Sequence, residues 1–343
     1  MEMNYKNNYT NEEATQKLKA SFGSGAKLPS NVQFILENNE MDCRIKLNPQ
    51  KVQEENMQTD ANAFEAWAIA LYIALNEVGK IILDVDGEFV PMEYEQNGHW
   101  GRFLYRALRF SEQYEWFILA EKVKFQVEKF KVYLDSHIFT NNLPEGDAGI
   151  KETHNNENVV EAMFADDVEI RKMFDFFVDN PVYRQLPVGL FRVEGVFEER
   201  RTYKYSKGTM VFTGGKSAID LWTWNEDKFE VIELKTKNKM AGIITEIFFY
   251  TNYMYDFLVR GEKFVLNKFE DLSKQENGRG YDNIYKMWEE KGFKKIQGIM
   301  LADEYHRLLN HKKVLEVLNN SNLAGGIEYV KAEYKYELTI ACK

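Results

Sequence analysis

The residues best placed to do chemistry lie in one short segment, Ser217 to Thr236, which reads SAIDLWTWNEDKFEVIELKT. Two runs rich in β-branched and aromatic residues flank the polar group Asn225-Glu226-Asp227-Lys228, which is the pattern of a β-hairpin. Closing the hairpin there sets Asn225 against Lys228 and Trp224 against Phe229. The same count pairs Trp222 with Val231 and Asp220 with Glu233, so two carboxylates face each other with Cβ atoms roughly 4.5–5.5 Å apart. Side chains alternate along a strand, which puts Lys235 on the face of Glu233. Facing carboxylates repel unless something compensates them. Hard oxygens of this kind suit Mg²⁺, which keeps several waters and also contacts a phosphate. Such a cation acidifies a water and braces the charge that develops on a phosphodiester. A lysine beside the scissile group then stabilises the transition state. The plainer alternative is a salt-bridge cluster on a solvated face; Trp222 and Val231, on the same face, weigh against it.

The pattern Ile219-Asp220, twelve residues, then Glu233-Leu234-Lys235 resembles the PD-(D/E)XK nuclease superfamily. The resemblance implies an α/β (α+β) chain with a restriction-endonuclease-like core, a mixed β-sheet flanked by helices. It also implies that Asp220 and Glu233 hold Mg²⁺, for which Mn²⁺ can substitute, and that Lys235 assists hydrolysis. Ile219 stands where the name-giving proline would be, a departure that many members share. In the following helix Glu246 and Tyr250 sit one turn apart on a stripe with Ile243, Ile247, Met254 and Phe257. A carboxylate on an apolar stripe is costly unless it is paired or metal-bound. Glu246-x-x-x-Tyr250 is similar to a Gln-x-x-x-Tyr motif of some branches, with Glu in place of Gln, which implies a place near the metal or Lys235. Glu161, on the helix that opens the region, looks like the extra acidic ligand some members supply; Glu194 is its rival and ranks below it.

A basic cluster, Arg200, Arg201, Lys204 and Lys207, is interleaved with Tyr203 and Tyr205, a mixture that suits phosphate contact and base stacking. Lys216, Lys237 and Lys239 flank the hairpin centre and are better placed to meet a nucleic-acid backbone. The five histidines show no paired metal-ligand spacing. Gly214-Gly215-Lys216-Ser217 ends like a phosphate-binding loop but lacks the upstream glycine and the following helix.

The elements that must position these groups follow from periodicity. Residues 31–37 read as a strand, 62–78 as a helix, 80–85 as a strand that turns at Asp86-Gly87 into a partner strand through Pro91, and 100–133 as a helix giving way to a strand. Residues 141–158 are polar and rich in Gly and Asn, which places a linker there. Beyond it come a helix over 159–178, strands at 191–197, 217–224 and 229–235, a helix over 241–259, a strand at 296–301, a helix over 304–318 and a strand at 327–338. The expected division is an N-terminal α+β domain, 1–145, for recognition or partner binding, and a nuclease-like catalytic domain, 146–343.

Composition bounds the partners. The 343 residues carry a net charge of −10, which at first sight disfavours nucleic acid. That charge is uneven: residues 1–150 hold 15 Lys and Arg against 23 Asp and Glu, whereas residues 191–313 hold 22 against 19. No apolar run is long enough to span a membrane, the N-terminus does not look like a signal peptide, and two cysteines exclude a disulfide framework. The expectation is a cytoplasmic Mg²⁺-dependent endonuclease acting on DNA rather than RNA, in restriction, defence or repair, with a homodimer as one arrangement for cutting both strands. The alternatives are a non-catalytic nuclease-like module that binds nucleic acid or protein, and a glycosidase, whose paired carboxylates have similar spacing.

Overall fold

A computed structural model of the chain describes residues 10–28, 33–37, 42–59, 61–75, 78–87, 97–143, 156–172, 180–197, 202–237, 239–268 and 279–335. They form a mixed α/β architecture built on a four-stranded sheet, a seven-stranded sheet and a two-stranded ribbon. No helix among them is long and apolar enough to cross a membrane.

The first half runs α1 (Asn11–Phe22), β1 (Gln33–Glu37), β2 (Asp42–Leu47), α2 (Pro49–Glu54), α3 (Phe64–Ala74), β3 (Ile81–Val85), α4 (Gly98–Gln113), β4 (Phe117–Leu119) and α5 (Glu121–Ser136). α1 starts where it does because Thr10 and Glu13 form a reciprocal cap, each side chain taking the other's amide. α3 is apolar apart from Glu65 and buried on nearly every side, as a helix of that composition must be. β3 pairs in parallel with β2 and with β4. The expected partner strand after Gly87 lies outside the described residues. The expected helix-to-strand passage at 100–133 is a helix, a three-residue strand and a second helix: Val123, Val127, Phe130 and Leu134 give α5 its buried face.

The second half runs β5 (Phe139–Asn141), α6 (Asn156–Asp166), α7 (Val168–Lys172), β6 (Tyr183–Arg192), β7 (Gly195–Phe197), β8 (Thr202–Lys204), β9 (Met210–Asn225), β10 (Lys228–Lys235), α8 (Gly242–Tyr255), β11 (Phe264–Val265), α9 (Tyr281–Glu290), β12 (Lys295–Ala302), α10 (Lys313–Asn319) and β13 (Ile327–Glu333). The large sheet has the order β11-β5-β6-β9-β10-β12-β13. β5 through β10 are antiparallel neighbours, and β10, β12 and β13 are parallel, with helices between the parallel strands to make the crossovers. α6 and α7 replace one expected helix because Asp167 breaks it, its carboxylate taking the amides of Glu169 and Ile170. The expected strand at 191–197 is two pieces, the end of β6 and the short β7. The helix expected over 304–318 is confined to α10, with turns before it.

Two cores lie on opposite faces of this sheet. Leu221, Ile232, Leu234, Ile299 and Leu301 pack with Val160 and Phe164 of α6. Trp222, Phe229, Val231, Ile296 and Met300 face a larger core that includes Ile243 and Ile247 of α8 and runs on without a break through α3 and α4. The two halves therefore share one interior, and β5, ahead of the polar stretch, is a strand of the large sheet. A seam of close contacts joins them. α4 lies so near β9 that a Cβ on Gly101 would strike the Val211 carbonyl oxygen. Tyr105 donates to Asp256 at 2.6 Å. Gly101→Ala is expected to cost about 1–3 kcal/mol in urea unfolding, with both halves lost in one transition. Two well-separated transitions would contradict the shared core.

Candidate active site

The hairpin closes in the register that its turn dictates. Asn225 pairs with Lys228, Trp224 with Phe229, Trp222 with Val231 and Leu221 with Ile232. The paired ladder ends there, and the half-buried Asp220 instead accepts the Leu234 amide on its own carboxylate, Oδ2, at 2.9 Å. Glu233 and Lys235 follow on the face that meets α8. Lys235 Nζ lies 2.6 Å from Glu233 Oε1, 3.1 Å from Glu246 Oε2 on α8 and 3.8 Å from Glu157 Oε1 on α6. The hairpin and both helical layers thus converge at the end of β10.

This is an interior site: Glu233 is 2% exposed, and Lys235 and Glu246 are each 6% exposed. Burial works against the Lys235 ammonium, but Glu233, Glu246, Asp220 and Glu157 outweigh it and hold its pKa well above the lysine range. One ammonium cannot compensate all these carboxylates. Burial, with the charges of Asp220 and Glu246, pushes Glu233 well above the usual carboxylate range against the pull of Lys235. Burial lifts Asp220 to about 6, opposed by Lys235 and the Leu234 amide. Glu157 rises to about 7, through burial and the nearby Asp220 and Glu246 with Lys235 in opposition. Oε2 of Glu233 is buried and meets no hydrogen-bond donor.

Glu161 is buried one turn beyond Glu157, accepting from Gln185 Nε2 at 2.7 Å with Arg184 Nε at 3.9 Å. Burial and then the charge of Asp220 push it up to about 8. It therefore belongs to the same electrostatic cluster, although no three His, Cys, Asp or Glu side chains among the described residues already converge as a metal-ligand set. Tyr250 is buried beside the cluster; burial, then Glu233, Glu246 and Asp220, push its hydroxyl well above its ordinary range.

Other expected residues lie elsewhere. Glu194 is exposed between β6 and β7 and accepts from Ser206, because its segment leaves the sheet for the β7–β8 ribbon. Lys204 sits in that ribbon, its ammonium 4.3 Å from the centre of the Phe197 ring. Arg200 and Arg201 lie outside the described residues, as does the side chain of Lys216, whose backbone is part of β9. Its glycine-rich run is strand and not a phosphate loop. Lys237 and Lys239 are exposed just past β10, and Lys239 pairs with Glu304 at 2.6 Å. Sequence reasoning missed Glu157. Its signal was its four-residue spacing from Glu161, which puts both on one face of α6.

Compared with family models, curated proteins and solved structures, the chain matches none.

A carboxyl whose pKa is higher folded than unfolded keeps its proton longer in the folded state. Stability then falls as pH rises between the ordinary value and the raised one. For Glu161 that window runs from the ordinary 4.5 to about 8. Glu161→Gln is expected to leave stability unchanged near pH 4 and to raise it on the order of 2 kcal/mol at pH 8, read by chemical denaturation with chelator present. A pH-independent difference would contradict the clustered charges.

Proposed function

We propose that this chain is a metal-dependent nuclease that hydrolyses phosphodiester bonds, of DNA rather than RNA, with Asp220, Glu233 and Lys235 at its centre. One juxtaposition carries the reading. Lys235 Nζ is held 2.6 Å from one oxygen of Glu233, while the other oxygen of the same carboxylate is buried without a donor. An orphaned buried acceptor costs about 1–3 kcal/mol, and a hard cation relieves that cost along with the repulsion from Asp220. Asp220 and Glu233, with Glu161 as a third candidate, are the residues that would hold Mg²⁺ or Mn²⁺. When bound, such an ion supplies an acidified water and charge stabilisation at the phosphate.

The chain's own groups have distinct tasks. Glu233 and Glu246 keep Lys235 protonated, so it acts as a donor and a positive charge beside the phosphate and not as a general base. Glu246 holds that ammonium against α8. The large sheet between α6 and α8 is then read as a restriction-endonuclease-like core. A place in restriction, defence or repair follows from the same resemblance, and cutting both strands would call for two copies.

Plasmid, single-stranded DNA and RNA incubated with Mg²⁺, Mn²⁺ or chelator test the reading. Wild type is expected to cut DNA only with metal. Asp220→Asn and Glu233→Gln are each expected to lower kcat by about 100-fold or more, and Asp220→Asn to melt no lower than wild type because it removes a repelling charge. Cleavage that persists in both variants would sink the proposal.

A further inference from the structure

α4 carries Arg102, Arg106 and Arg109 at helical-turn spacing, all of them buried. Two are neutralised. Arg106 grips Glu65 through two nitrogens, with Nε at 2.7 Å from Oε1, and Glu65 in turn accepts from Thr245 of α8 at 3.0 Å. Arg109 binds Asp256 at 2.8 and 3.1 Å and Glu112 at 2.8 Å. Arg102 differs. It is 4% exposed, and its Nη2 lies 2.9 Å from Nδ1 of His99. Among the described residues no carboxylate lies within ion-pair distance of it. A guanidinium can only donate, so His99 must accept through Nδ1 as a neutral ring. That neighbour brings no negative charge.

Arg102 also lies within electrostatic reach of the candidate site. Burial and the neighbouring Arg106 push its pKa down to about 10, while the charges of Tyr250 and Glu246 act in the opposite direction. It stays cationic at neutral pH, close enough to Glu246 and Tyr250 to interact with them but not ion-paired to either. A buried charge without a counter-ion is costly, and a ligand that carries an anion removes the cost.

We propose that Arg102 is an anion subsite lent by the N-terminal half to the hairpin centre, where its guanidinium takes a non-bridging oxygen of a backbone phosphate. The planar fork of an arginine matches that group in two-point geometry. The identity of the ligand rests on the nuclease reading; the uncompensated cation does not.

Binding of a duplex oligonucleotide and of inorganic phosphate, both with chelator present so that nothing is cut, tests the subsite. Arg102→Gln is expected to weaken duplex binding roughly tenfold to a hundredfold. The slope of log affinity against log salt should become shallower by about one, and phosphate binding should be lost. A purely structural arginine would not change that slope. Equal affinity and slope in wild type and Arg102→Gln would overturn the proposal. Should Arg102→Gln fail to fold, Arg102→Lys decides: weaker binding by the point charge supports the fork, and affinity equal to wild type overturns it. Metal-dependent cleavage that Glu233→Gln abolishes and Arg102→Gln leaves untouched would overturn the subsite and spare the nuclease reading. Phosphate binding that Arg102→Gln removes, in a protein that cuts nothing, would do the reverse.

Discussion

A single buried ammonium, Lys235, is shared among carboxylates from three elements: Glu233 on β10, Glu246 on α8 and Glu157 on α6. Much of the geometry around the large sheet can be read as what this shortage of positive charge requires. Ions removed from water lose several kcal/mol of solvation each, which only good geometry and full compensation restore. The geometry is good and the compensation is not. Protons take up part of the deficit, as the raised Asp220, Glu157 and Glu161 record. A site in this condition favours any cation it can admit, and it favours a divalent one most because each such ion cancels two charges.

Holding the cluster together needs both faces of the sheet. α6 is fixed by the small core around Ile232 and Leu234, and α8 by the large one. α8 in turn is set from behind by the first half of the chain, through Glu65 to Thr245, Tyr105 to Asp256 and Gln113 to Asn252. Gly242 opens α8 where a Cβ would collide with the Gln58 backbone. These are packed contacts without slack, so the N-terminal half is a structural part of the site's frame.

The hairpin was legible in the sequence because its determinants are local. The turn residues fix the closing pair, and period-two alternation carries the register to Leu221 and Ile232. Glu246 was legible for a related reason, as a charge on an apolar helical stripe. β6 was not: Pro187 and Gly189 sit inside it, at a stretch that pairs with β9 alone before β5 joins at Leu190 and where the register shifts, the unpaired edges and bulges at which a strand accepts such residues. α5 was mistaken because its aromatic residues suggest a strand while their spacing builds a helix face. The joining of the two halves into one core was hidden altogether, since no local pattern reports which apolar faces will meet.

The buried arginines of α4 show how that hidden step bears on function. Arg106 and Arg109 each have a carboxylate of their own, and those ion pairs fix how α4 sits against α3, α8 and the turn after α8. With the helix position set by two complete pairs, the third arginine has no freedom to seek a partner elsewhere. It is left where Glu246 acts on it without pairing, and Glu246 is already paired with Lys235. The same packing that completes the frame thus leaves one cation uncompensated beside an over-acidic cluster. The two imbalances do not cancel across the gap within the protein. A bound metal on one side and a phosphate on the other would satisfy both at once, so the proposed function and the proposed subsite answer the two halves of one charge imbalance.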